Sequence, residues 1–201
     1  MDHIQINHCD IAPNNLLEAN GQALLIDLDL AKESSTKESL SSKNNKPSPR
    51  TGHKAYMSIQ ELLAITSGGP QHQHSIRDDI ESLFYCLLLE MTKEAPHDSL
   101  QKWSIRDAFS LLGIKEELAE NPIKFSARFE VSTREFYKEL KPAVIAWYEA
   151  LFVDNLEGSS LVKCVRSILS EAKDELDDNG GTKNDSATEN KRLKRQATHP
   201  R

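Results

Sequence analysis

Residues 79 to 91, DIESLFYCLLLEM, put apolar side chains on every side of one helix. Ile80, Leu83, Phe84, Leu87, Leu88 and Met91 recur at helical spacing, while Tyr85, Cys86 and Leu89 fill the other side. A helix apolar all round is stable in water only when other elements surround it, so the fold has to be built about this segment. Gly68-Gly69-Pro70 breaks the chain before it and a loop containing Pro96 follows it. Later segments offer the surrounding elements. Ser104 to Leu112 reads as a short helix, and Thr133 to Phe152 as a longer one with Phe136, Leu140, Val144, Trp147 and Leu151 inward, kinked or divided at Pro142. Ser160 is placed to cap a last helix with Leu161, Val165, Ile168, Leu169, Ala172 and Leu176 on one face.

Upstream the pattern changes. Leu16 to Glu18 and Ala23 to Asp27 are short apolar runs on either side of Ala19-Asn20-Gly21-Gln22, and Asn-Gly is the strongest short hairpin signal. Residues 33 to 49 are polar, rich in Ser and Lys and closed by two prolines, a composition that cannot bury enough apolar surface to order itself. The expected class is α+β and mostly helical: a hairpin, a long loop, then four or five helices, without internal repeats. One domain is expected over residues 1–177, with a disordered tail over 178–201.

The chain has 201 residues, 38% of them hydrophobic and 28% charged, enough for one real core. A net charge of -6 supplies no basic field, so no specific nucleic-acid partner is expected. Cys9, Cys86 and Cys164 form neither a disulfide framework nor a zinc pattern. No stretch reaches the roughly 20 apolar residues of a membrane span. A soluble, intracellular, cytoplasmic protein is expected. The basic run NKRLKRQ, residues 190–196, leaves nuclear import or an anionic surface open.

The chemistry concentrates near the start. Within HCDIAPNN, His8, Asp10 and Asn15 match the catalytic-loop pattern H-R-D-L-x-x-x-N of protein kinases at three positions. Asp27 follows at the end of the second hairpin strand, where a metal-binding carboxylate belongs. Moving a phosphoryl group to a hydroxyl needs a carboxylate at the attacking oxygen and a divalent ion on the phosphates. A hairpin brings its two ends together, so Asp10 and Asn15 before it can face Asp27 after it, and magnesium prefers such oxygen ligands. H-x-D with a nearby asparagine is common by chance and weak alone. RTGHKAYMSIQELL, residues 50–63, adds the arrangement of an activation-segment end, with Glu61 in the place of the A-P-E glutamate, and Asp79 then opens the buried helix.

Together these segments resemble the fungal-type protein kinase family, well over residues 6 to 92 and loosely over 98 to 176. The resemblance implies the large, C-terminal lobe of a protein kinase-like fold. It implies Asp10 as catalytic base, Asn15 and Asp27 as magnesium ligands, and His8 as a buried organiser of the loop. Asp79 would hold the catalytic-loop backbone, and Glu61 would pair with an arginine of a later helix, Arg166 being one candidate. ATP and magnesium are the implied cofactors, and a protein Ser/Thr hydroxyl the implied substrate. The chain also departs from the kinase pattern. Cys9 replaces the arginine that would contact a phosphorylated activation segment, Ala12 stands where many kinases have a phosphate-neutralising lysine, and Asp29 replaces the glycine of D-F-G, as looks normal in the fungal-type family.

A kinase also needs a small lobe with a glycine-rich loop and a strand lysine paired to a helix glutamate. Only seven residues precede His8, none of the eight glycines falls into G-x-G-x-x-G, and Lys32 lies after Asp27. The expectation is of a kinase large lobe whose small lobe is absent, with weak or no nucleotide binding and no appreciable turnover for this chain alone. Its partners would be a protein substrate, the missing lobe or another protein. Two other readings stay open: a truncated pseudokinase acting as a protein-binding module, and a small-molecule phosphotransferase of the aminoglycoside- or choline-kinase type, which shares H-x-D-x-x-x-x-N but not the 50–63 segment. Gln71-His72-Gln73-His74 reads as a solvated loop, and Trp103 and Trp147 as core residues.

Overall fold

The structure, a computed structural model, describes residues 6–33, 53–68, 72–92 and 107–196, with side chains of the last stretch described as far as 178. Strand β1 (Ile6–Asn7) pairs antiparallel with β4 (Lys32–Glu33), and β2 (Leu16–Ala19) pairs antiparallel with β3 (Gln22–Leu25). In the hairpin Leu16 faces Leu25 and Ala19 faces Gln22. Asn20 and Gly21 turn it with φ of 54° and 73°, the left-handed pair that a two-residue turn between twisted strands requires. The second strand ends at Leu25, short of Asp27, and one further rung follows in the same register, the Ile26 N–H donating to the Asn15 carbonyl at 3.0 Å.

The helices are α1 (Ile59–Ser67), α2 (Ile76–Thr92), α3 (Ala108–Glu120), α4 (Pro122–Ser132), α5 (Lys141–Tyr148) and α6 (Gly158–Gln196). Helix α2 takes the central place its composition demands and packs on β1, α5 and α6, while α1 lies on α3. Phe84, Tyr85, Leu88 and Met91 are fully buried, and Phe84 meets the rings of Tyr85, Phe125, Trp147, Tyr148 and Phe152 at 5.7–6.5 Å between centroids.

Several boundaries differ from the sequence expectation. The short helix begins at Ala108 behind an Asp107 cap and runs to Glu120; residues 104 to 106 and Trp103 lie outside the described residues. Helix α4 escapes the sequence reading because its large apolar residues, Ile123, Phe125, Phe129 and Val131, do not share one helical face and only Phe125 and Phe129 are buried, although Asn121 caps Lys124 N–H at 2.9 Å and Pro122 sits in the first turn. Pro142 does divide the next segment: a 3₁₀ stretch over Glu135–Leu140 precedes α5, and a π-helical turn over Glu149–Val153 follows it. The 3₁₀ geometry turns Phe136 outward, 83% exposed against the edge of Tyr137, so its expected inward position is corrected. Helix α6 starts at Gly158, ahead of Ser160, and Leu169 is 40% exposed on it. Its backbone stays helical to Gln196, past Asp177, where the sequence reading begins a disordered tail; a helix closes its own backbone hydrogen bonds and needs no sheet partner. Most of the 33–49 loop lies outside the described residues.

Candidate active site

The loop from His8 to Asn15 leaves β1 and enters a 3₁₀ turn over Pro13–Asn15, where Pro13 supplies a preset φ and lacks an N–H that would otherwise need a partner. Asn15 Nδ2 donates to the Asp10 carbonyl at 2.9 Å and reaches the Asp10 carboxylate at 3.4 Å, so the amide holds the acid in place. Asn15 is buried and Asp10 half-buried. His8 Nε2 donates to the Ile26 carbonyl at 2.9 Å, a contact that puts the ring proton on Nε2 because a carbonyl only accepts. With the Ile26 N–H on Asn15, the residue just before Asp27 is bonded to both ends of the loop. Cys9 and Asp27 both take left-handed backbones, φ 65° and 63°, a strained choice for residues with a Cβ that persists only where the surroundings hold it.

Asp79, in the first turn of α2, faces this loop. Its Oδ2 accepts the His8 N–H at 2.6 Å and its Oδ1 the Cys9 N–H at 3.0 Å, charge-assisted bonds that satisfy two buried backbone donors. Glu61 forms a capping box with Ser58 at the start of α1: the Glu61 N–H donates to Ser58 Oγ at 3.1 Å and the Ser58 N–H to Glu61 Oε2 at 3.2 Å. Its ionic partner is His74, whose Nδ1 lies 3.0 Å from Glu61 Oε1, while His74 Nε2 lies 2.8 Å from Asp79 Oδ1. The candidate arginine, Arg166, is exposed on α6, and among the described residues a histidine next to α2 meets Glu61. The solvated reading of the 71–74 loop is corrected, since the His74 side chain is only 4% exposed.

The neighbouring acids are used in the same way. Asp78 accepts from Ser58 Oγ at 2.5 Å, from Ser75 N–H and hydroxyl at 2.8 Å, and lies 3.0 Å from His72 Nε2. Burial pushes its carboxyl up, but the bonds from His72, Ser58 and Ser75 overcome this and hold it well below the usual carboxylate range. Glu81 accepts the Ile59 N–H and the Tyr85 hydroxyl, each at 2.8 Å. Lys115, fully buried on α3, donates to the Met57 carbonyl at 2.6 Å and sits 3.5 Å above the Tyr85 ring; burial draws its ammonium down, against the pull of Glu81 and Glu61. Asp78, Asp79 and Glu81 thus anchor both the 8–15 loop and the N-terminus of α1 to one helix.

Residues 1–91 match the family model described as fungal protein kinase. That stretch is similar to fungal protein kinases. The matched segment ends at α2, and α3 to α6 lie beyond it. No curated protein matches the chain.

Within the matched segment, the structure brings Asp10 and Asn15 into contact and places Asp27 one residue beyond a hydrogen-bonded Ile26. Among the described residues no three His, Cys, Asp or Glu side chains gather as a metal-ligating group. That does not conflict with magnesium, which keeps waters and phosphate oxygens and needs only one or two carboxylates from protein. With Nδ2 engaged by Asp10, Asn15 has its Oδ1 as ligating atom, so an Asn15 and Asp27 pair fits the ion by chemistry. The residues that sequence reasoning missed are Ser58, His74, Asp78, Glu81 and Lys115. Two signals were present: S-I-Q-E at 58–61 spells a capping box, and three acids at the start of a buried helix require partners. Among the described residues no helix is long and apolar enough to cross a membrane.

Proposed function

We propose that this chain supplies the catalytic-loop and metal-holding side of an ATP-dependent protein kinase, the large lobe of that fold, acting on a protein Ser/Thr hydroxyl. The observation that carries the reading is the double fastening of the 8–15 loop, by Asp79 to the His8 and Cys9 amides and by Ile26 to His8 and Asn15. Asp10, Asn15 and Asp27 are thereby mounted on one hydrogen-bonded frame, the preorganisation that phosphoryl transfer depends on. In this reading Asp10 accepts the proton of the attacking hydroxyl, and Asn15 steers the Asp10 carboxylate through Nδ2. Asn15 and Asp27 would hold magnesium, which would supply positive charge against the charge that builds on the phosphate oxygens. Cys9 and Ala12 bring no cation to this loop, so control through a phosphorylated activation segment is not expected.

The reading assigns the nucleotide cover to a further lobe resting on the apolar side chains exposed about the hairpin, where Leu17, Leu24, Leu28 and Leu30 are 41–56% exposed. The same exposure favours a second reading, a pseudokinase that docks a protein there. Phosphorylation of a generic protein substrate by the longest native form of the chain, with ATP and magnesium, separates them. Asp10→Asn is expected to lower transfer by about 10²–10⁴-fold, and residues 1–201 alone are expected to turn over negligibly. Transfer insensitive to Asp10→Asn would remove the kinase assignment. A native form inactive with every substrate that still loses a bound protein on Leu24→Asp would favour docking.

A further inference from the structure

His74 touches two carboxylates, and the two belong to different parts of the site. Nδ1 is 3.0 Å from Glu61 of α1 and Nε2 is 2.8 Å from Asp79 of α2, while the His74 carbonyl accepts from Asn7 Nδ2 at 3.2 Å. A neutral imidazole has one N–H and could donate to only one of these acids. Neither acid is placed to donate in return. Glu61 accepts the Ser58 N–H through Oε2, and Asp79 accepts the His8 and Cys9 amides through its two oxygens, so both already serve as acceptors. Protonation of the ring on both nitrogens satisfies every contact together.

We propose that His74 is a positioning residue, an imidazolium strut that locks the catalytic loop, through Asp79, to the helix that closes the activation segment, through Glu61. The functional meaning of the strut rests on the kinase reading above; its geometry does not. The charged groups around it are consistent with a cation there. Glu61 faces it from α1 and Asp79 from α2, the His72 and Asp78 pair lies beside it, and from α3 the buried Lys115 acts on Glu61 at longer range. Burial disfavours the charged ring, but the bonds and charges of Asp79 and Glu61 outweigh burial and raise the imidazole to about 9. Its folded value lies above the unfolded one of about 6.5. The strut's contribution is therefore complete below about pH 6.5 and is lost as pH rises through about 9.

The test reads ring protonation and loop order in the full chain and needs no turnover, so an inactive chain would sink the kinase reading and leave the strut standing. In ¹⁵N-labelled protein at pH 7, both ring nitrogens of His74 are expected to show the shifts of imidazolium. The thermal midpoint is expected to fall by roughly 5–10 °C between pH 6.5 and pH 10, and His74→Arg, which keeps the charge and donors, is expected to flatten that fall. At pH 7, His74→Gln is expected to cut amide-exchange protection at both His8–Cys9 and Ser58–Ile59, with His74→Arg restoring both. A neutral His74 ring at pH 7 overturns the proposal, and this reading stands even where the Gln variant fails to fold. Loss of protection at one end only, or a pH profile unchanged by His74→Arg, also overturns it.

Discussion

Removing the Asp79 carboxylate would strand three donors at once: the His8 and Cys9 amides and the His74 ring. Asp79→Ala is expected to destabilise the fold by about 3–5 kcal/mol, the cost of breaking a buried ionic contact from one side. Equilibrium urea denaturation measures it, and a loss under about 1 kcal/mol would mean the loop is held by something else. Asp10, Asn15, Asp27, Glu61 and Asp79 could be singled out in the sequence because each sits in a short local pattern. His74 could not, since its own neighbours are polar and its partners lie at positions 61 and 79, brought to it by chain folding.

The start of α1 shows how one element is secured by another. Ser58 accepts the Glu61 N–H and its hydroxyl donates to Asp78 at 2.5 Å, while the Ile59 N–H goes to Glu81. Helix N-termini leave orphan N–H groups, and here a capping box and a carboxylate of α2 take them up. Ser58→Ala removes the cap and leaves Asp78 short of a buried donor, an expected loss of about 1–2 kcal/mol read from the denaturation midpoint. A loss below about 0.3 kcal/mol would show that water replaces the hydroxyl. The box itself was spelled in the sequence, as was the Asn20-Gly21 turn, because both are set by residues within four positions of one another. The 3₁₀ stretch at 135–140 was not spelled: its residues carry a helical apolar period, and Phe136 points outward all the same.

At the scale of the molecule, α2 and its ring-lined surroundings form the hydrophobic core of the described residues. Phe84→Ala is expected to cost about 3–5 kcal/mol, since the cavity would open among Tyr85, Phe125, Trp147, Tyr148 and Phe152. Phe136→Ser, at a position 83% exposed, is expected to stay within about 0.5 kcal/mol. Thermal or urea unfolding of the two variants side by side checks both figures, and equal effects would contradict the observed packing.

The periodicity of residues 80–91 was enough to require a surrounded helix, and the short spacings around His8, Asp10, Asn15 and Asp27 were enough to point to phosphoryl-transfer chemistry. Both are properties of neighbouring residues and survive in a linear string. Which groups neutralise the buried acids of α2, and that His74 meets Glu61, follow from contacts between segments far apart in the chain. Burial makes each such pairing obligatory, because an unpartnered charge inside a protein costs several kcal/mol. It does not say which residue must answer, and that choice was made by the packing of α1 and the 72–75 segment against α2.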